Sequence, residues 1–197
     1  MLASEVLNER LRPVIEPFTT GTGKILARAH VSPNGLTTVG LAGMLACSWL
    51  VADGRTFLAG LWLIPAFLVD VFDGALARAT GRVTAWGGFY DSVCDRIADG
   101  ALFGAFVWLY RRGPDRVLVA AIAASVVTQL VPYARAKAEA LGYRAPGGLG
   151  ERAERAILVC AGLILGFTEL ALWLVVATTA ATFVRRVTAV RGQAMTR

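Results

Sequence analysis

The chain has a single histidine, His30, so neither a histidine-ligated metal site nor a Ser/His/Asp triad can be built from it. Cysteine is scarce too. Cys47, Cys94 and Cys160 each sit inside an apolar run, without the paired spacing of a disulfide framework or zinc site, and read as small buried hydrophobes. Charged residues make up only 17% of the 197, against roughly 25% in an ordinary soluble domain. Met1–His30 holds no compact apolar segment of the signal-peptide type, and no repeat or low-complexity tract occurs. No RNA- or DNA-binding motif is present, so nucleic acid is not an expected partner. Any catalysis must therefore come from carboxylates, arginine or lysine.

What is abundant is apolar sequence. Hydrophobic residues reach 56%, and mean hydropathy is +0.58. Several apolar runs approach the roughly 20 residues needed to cross a bilayer. The expected fold is an all-α integral membrane protein with six transmembrane helices, near Leu36–Val51, Phe57–Thr80, Trp86–Arg111, Arg116–Leu141, Arg155–Phe167 and Leu170–Val187. Before them, residues 1–32 form an amphipathic segment that mixes Leu7, Leu11, Val14, Ile15 and Phe18 with Glu9, Arg10, Arg12 and Glu16. This reads as a helix lying in the membrane interface, leaving 33–197 as the catalytic transmembrane domain. Of the 20 Lys and Arg, only Arg55, Arg111, Arg112 and Arg116 fall in one set of loops and Arg96 inside a helix. The remainder share the side of both termini. By the positive-inside rule that side is cytoplasmic, in a multi-pass cell-membrane protein. Net charge of +6 then describes a basic face suited to anionic lipid headgroups and phosphorylated substrates.

Five acids interrupt the second and third runs: Asp70, Asp73, Asp91, Asp95 and Asp99. Ionisable groups inside spanning helices are costly and point to function by default. At 3.6 residues per turn, Asp70, Asp73, Gly74, Ala77 and Arg78 share one helix face. Gly87, Asp91, Asp95 and Asp99, at steps of four, share another. The connection at Arg82–Thr84 is short, so the two helices are expected to be antiparallel neighbours whose acidic faces meet. Carboxylates that converge without cations repel one another, and a bound divalent ion removes the conflict. An oxygen-only donor set is the preference of Mg²⁺ or Mn²⁺. Structural ion pairing with Arg78 and Arg96 is the alternative, most plausible for Asp99.

These residues resemble a known signature. Asp70-x2-Asp73-Gly74-x2-Ala77-Arg78-x8-Gly87-x3-Asp91-x3-Asp95 is similar to the motif of the CDP-alcohol phosphotransferases at every specified position. The Ser32-Pro33-Asn34-x2-Thr37 entry to the first span and the six-helix outline extend the resemblance over most of the chain. It implies that Asp70, Asp73, Asp91 and Asp95 hold two metal ions (Mg²⁺ or Mn²⁺) on the diphosphate of a CDP-lipid, and that Asp95 is the general base. It implies further that Asn34, Thr37, Gly74, Ala77, Arg78 and Gly87 line the CDP-lipid pocket, and that the protein is a homodimer among membrane lipids.

The second half bears on the acceptor. Pro132-Tyr133-Ala134-Arg135-Ala136-Lys137 and Gly148-x2-Glu151-Arg152-x-Glu154-Arg155 resemble the bacterial phosphatidylinositol-phosphate synthases of the family, although Pro132 and Arg135 stand where those commonly carry Ser and Lys. The resemblance implies Arg135, Arg152, Arg155 and Arg186 as ligands of an acceptor phosphate. The expected reaction moves a phosphatidyl group from CDP-diacylglycerol to a phosphorylated polyol, with inositol 1-phosphate favoured, and releases CMP. A phosphatidylglycerophosphate synthase using glycerol 3-phosphate is the alternative within the family. Outside it stand an intramembrane prenyltransferase, which lacks its second Asp-rich motif here, and an ion or solute transporter, which lacks an inverted repeat.

Overall fold

The computed structural model describes residues 32–79, 81, 83–148 and 151–196, with backbone alone at 70–75 and 77–79. The interfacial segment expected at 1–32 lies, apart from Ser32, outside the described residues. All regular structure among the described residues is α-helical: α1 Pro33–Ala52, α2 Thr56–Ala79, α3 Ala85–Tyr110, α4 Asp115–Ala140, α5 Arg152–Leu165 and α6 Thr168–Met195.

The helix ends follow local chemistry. Ser32 opens α1, its Oγ accepting from Gly35 N at 3.1 Å, and Pro33 occupies the first helical position, where a missing N–H leaves nothing unsatisfied. Gly54 closes α1 in a left-handed conformation (φ +79°). Gly54 N donates to Val51 O and Arg55 N to Leu50 O, the Schellman pair of bonds. Gly142 ends α4 in the same way, with Tyr143 N on Ala138 O at 2.9 Å. Thr84 caps α3 by accepting from Gly87 N at 2.9 Å. A capping box between Glu151 and Glu154 starts α5 at Arg152, three residues before the expected Arg155, and Gly166 (φ +77°) ends it.

The chain forms two compact units, one from the described residues of 1–46 with 62–98, the other from 47–61 with those of 99–197. In the first, α1 and α2 approach closely at Gly43, whose carbonyl accepts from Trp62 Nε1 at 2.9 Å. A Cβ on Gly43 would stand 3.3 Å from that of Ala66. Met44, Leu63, Ala66, Leu76 and Cys94 fill its core. In the second, α6 packs on both α4 and α5 around Phe103, Phe106, Leu163, Leu172 and Val175. Small residues allow the approach. A Cβ on Gly162 of α5 would collide with Ala171 of α6, and one on Gly60 of α2 would lie 2.7 Å from Ile164 Cγ1 of α5.

Among the described residues three helices, α1, α4 and α6, are long and apolar enough to cross a membrane. With 26 residues α3 matches α4 in length, but its charged residues Asp91, Asp95, Arg96 and Asp99 lie well inside the helix, whereas those of α4 lie near its ends. The 14 residues of α5 make a helix about 21 Å long. Trp49, Trp62, Trp86, Trp108 and Trp173 all stay exposed, with Leu58, Ile64, Val126, Ile157 and Leu174, a surface suited to lipid rather than water. This is the character of a multi-pass membrane protein. The sixth helix runs eight residues beyond the expected Val187, because its polar last turns are held by side-chain bonds rather than by apolar burial.

Candidate active site

Asp70, Asp73, Gly74, Ala77 and Arg78 lie on α2, whose backbone is helical through Ala79. Their expected register on one helix face therefore stands, while their side chains are outside the description. Gly87, Asp91 and Asp95 follow at steps of four on α3, all half-buried. Arg96 Nη2 stands 3.9 Å from Asp95 Oδ2, a long ion pair between residues adjacent in sequence, which do not face one another on a helix.

Two predicted residues from distant parts of the sequence come together here. A Cβ on Gly87 would lie 3.3 Å from Asn34 Oδ1 and 3.1 Å from Thr84 Oγ1. Two side-chain oxygens thus crowd the place a β-carbon would take, so that a side chain at this position would press on both. One turn along both helices, Thr38 Oγ1 and Tyr90 OH share a hydrogen bond at 2.9 Å. The starts of α1 and α3 thus run in parallel, and Asn34, Thr38, Gly87 and Tyr90 form one polar seam beside Asp91. Neither Thr38 nor Tyr90 was expected; the available signal was their spacing, i+4 from Asn34 and i+3 from Gly87. Thr37 is buried and donates to Pro33 O at 3.1 Å, bonding back within α1.

Among the described residues no three acidic, histidine or cysteine side chains come together as a metal site; Asp70 and Asp73 have no described side chains. The described part of the donor set fits a hard divalent ion. Asp91 and Asp95 offer carboxylate oxygens one turn apart, and Asp95 retains 19% of its side-chain exposure.

The arginines expected to bind the acceptor belong to the second unit, where Arg186 bonds to the elements that carry Arg135 and Arg155. Arg186 is buried on α6. Its Nη1 donates to Val131 O at 2.8 Å, Nε to Pro146 O at 3.1 Å and Nη2 to Glu151 Oε1 at 3.1 Å. Val131 lies one turn before Arg135 on α4, and Glu151 caps the helix that carries Arg155 in its first turn. These bonds tie Arg186 to α4 one turn from Arg135 and to the cap of the helix that carries Arg155. Arg135 is exposed and pairs with Glu139 at 2.9 Å, whereas Arg155 is buried and its Nη2 donates to Asp99 Oδ2 at 2.6 Å. Arg152 is half-buried at the start of α5.

Sequence reasoning missed Glu151. One of its oxygens accepts from both Gly148 N, at 3.3 Å, and Arg186, while its own N–H donates to Glu154. The Glu-x2-Glu spacing before an apolar run was the sign of the cap, and nothing local pointed to Arg186.

The family profile described as CDP-alcohol phosphatidyltransferase matches residues 30–184. The chain is 37% identical over 192 residues to the phosphatidylinositol phosphate synthase of Mycobacteroides abscessus, covering 91% of this chain and 86% of that one. It is 34% identical over 208 residues to the enzyme of the same name from Streptomyces avermitilis, covering 98% and 85%. Two crystal structures of Mycobacterium tuberculosis phosphatidylinositol phosphate synthase superpose with a TM-score of 0.78. One is in complex with manganese and citrate (32% identity, covering 87% of this chain and 88% of that one). The other has CDP-DAG bound (31% identity, covering 87% and 92%). The chain belongs to the CDP-alcohol phosphatidyltransferase family, and it is an enzyme of that type.

Proposed function

We propose that this enzyme transfers the phosphatidyl group of CDP-diacylglycerol to inositol 1-phosphate, forming phosphatidylinositol phosphate and releasing CMP. The observation that carries the acceptor assignment is the bonding of buried Arg186 to Val131 O, one turn before Arg135, and to Glu151, which caps the helix that carries Arg155. Relatives that span nearly the whole chain carry the name of this activity.

Asp70, Asp73, Asp91 and Asp95 are the residues that would hold two divalent ions, Mg²⁺ or Mn²⁺. Bound there, the ions supply charge neutralisation on the donor's diphosphate and on the departing CMP. Asn34, Thr37, Gly74, Ala77, Arg78 and Gly87 line the CDP pocket, with the convergence of Asn34 on Gly87 supporting that role. Asp95 takes the proton of the acceptor hydroxyl, whose oxygen bonds to the phosphatidyl phosphorus as the bond from that phosphorus to the CMP oxygen breaks. Arg135, Arg152, Arg155 and Arg186 bind the acceptor's phosphate, and charge-assisted bonds from guanidinium groups suit a dianion.

In this reading all six helices cross the cell membrane, residues 1–32 lie in its interface, and 33–197 form the catalytic domain. The active site and both termini face the cytoplasm, and two copies form a homodimer. The deciding experiment offers the purified enzyme CDP-diacylglycerol, Mg²⁺ and labelled inositol 1-phosphate, glycerol 3-phosphate or serine. Phosphatidylinositol phosphate should be the dominant lipid product. Phosphatidylglycerophosphate as the main product would overturn the acceptor assignment while leaving the family chemistry intact.

A further inference from the structure

Asp99 is an acid that the proposed chemistry leaves without a role. Its carboxylate accepts from Arg155 Nη2 at 2.6 Å, with side-chain exposures of 7% for Asp99 and 5% for Arg155. Desolvating two charges is expensive, and apolar replacements of buried pairs are often equally stable, so stability alone is a weak reason for such a pair. Its location suggests another. Arg155 sits in the first turn of α5, where its backbone N donates to Glu151 O at 3.0 Å, and the Glu151 side chain is in turn held by Arg186. The start of α5 is thereby fastened from two sides, by Asp99 on α3 and by Arg186 on α6.

We propose that Asp99 is a positioning residue for the acceptor site: its carboxylate sets the guanidinium fork of Arg155 in the orientation that receives the acceptor's phosphate. This rests on the assignment of Arg155 as an acceptor ligand. A guanidinium has five N–H donors in a rigid plane, so one short bond to a fixed carboxylate restricts the whole fork. Two effects of Asp99 oppose each other. As a negative charge beside an anion site it weakens phosphate binding; as an anchor for Arg155 it strengthens it. The sign of the change on its removal therefore tests the proposal.

The holoenzyme with Mg²⁺ is assayed as Asp99→Asn, Asp99→Glu and Arg155→Ala, varying inositol 1-phosphate and CDP-diacylglycerol separately while thermal unfolding is followed. Asp99→Asn should raise the KM for inositol 1-phosphate about tenfold or more and leave that for the CDP-lipid within about twofold, with Asp99→Glu recovering part of the loss. An acceptor KM that falls or stays level in Asp99→Asn, while Arg155→Ala raises it, overturns the positioning role alone. An acceptor KM unmoved by Arg155→Ala overturns the underlying assignment of Arg155. Equal rises in both KM values would mean a general disturbance of the fold and would also defeat the proposal. If Asp99→Asn unfolds, Asp99→Glu, which keeps the charge and shifts it by one methylene, is judged by the same split.

Discussion

At the scale of single residues, Gly87 and Asp95 separate binding from chemistry. A methyl at position 87 would press on Asn34 Oδ1 and Thr84 Oγ1 at 3.3 and 3.1 Å. Gly87→Ala should therefore raise the KM for the CDP-lipid several-fold. Alanine favours a helix over glycine by up to about 1 kcal/mol, so the thermal midpoint should hold or rise. Asp95→Asn keeps the shape and removes the carboxylate proposed to take the acceptor's proton and to help hold the metal ions. CMP release should fall by about 10²–10⁴-fold, with the variant still folded by circular dichroism. The motif aspartates were legible because their spacing matches the helical repeat. The ion pair of Arg155 with Asp99 was not, since partners 56 residues apart leave no periodic trace. The same holds for Arg186, whose three acceptors lie 35 to 55 residues away.

Among the elements, the junctions of α5 carry the most specific demands. At its end, a Cβ on Gly162 would overlap Ala171 and stand 3.4 Å from Phe167 O, so Gly162→Ala must push α5 from α6. Overpacking of this kind destabilises by about 1–3 kcal/mol, to be read as a lower unfolding temperature in detergent. At its start, Glu151→Ala removes the cap and leaves buried Arg186 without its carboxylate. The loss should be about 1–3 kcal/mol, with the acceptor KM rising as the helix start loosens. Helix positions were readable in the sequence because punctuation residues sit at their ends: Ser32 and Pro33, Gly54, Thr84, Gly142 and Gly166. The extension of α6 to Met195 was not. Gln193 holds it through Arg144, donating from Nε2 to Arg144 O at 2.7 Å and accepting from Arg144 N at 2.9 Å, and hydropathy contains no record of such a clasp.

For the molecule as a whole, function should depend on added metal and on a sided membrane. Chelation with EDTA should abolish CMP release, and Mg²⁺ or Mn²⁺ should restore it; activity that survives thorough chelation would remove the metal assignment. The basic and less basic loops should also be chemically distinguishable. In a background without native cysteines, Gly113→Cys should react with an impermeant maleimide from outside intact cells and Gly147→Cys only after permeabilisation. The general form was legible because bilayer thickness dictates run length. Run length alone does not separate α3 from α4, which has the same length of 26 residues: Asp91, Asp95, Arg96 and Asp99 lie well inside α3, whereas the charges of α4 lie near its two ends.

The brevity of α5 carries a consequence for how the acceptor arrives. A rod of about 21 Å cannot join both surfaces of a hydrocarbon layer about 30 Å deep. If its far end meets one surface, the start of α5 lies beneath the other, and the proposed acceptor site would be reached through a dent in the leaflet. A sugar phosphate too polar to enter oil would descend into that dent, while the lipid partner need only slide sideways along the leaflet. Turnover should then quicken in thinner vesicles, as the dent grows shallower.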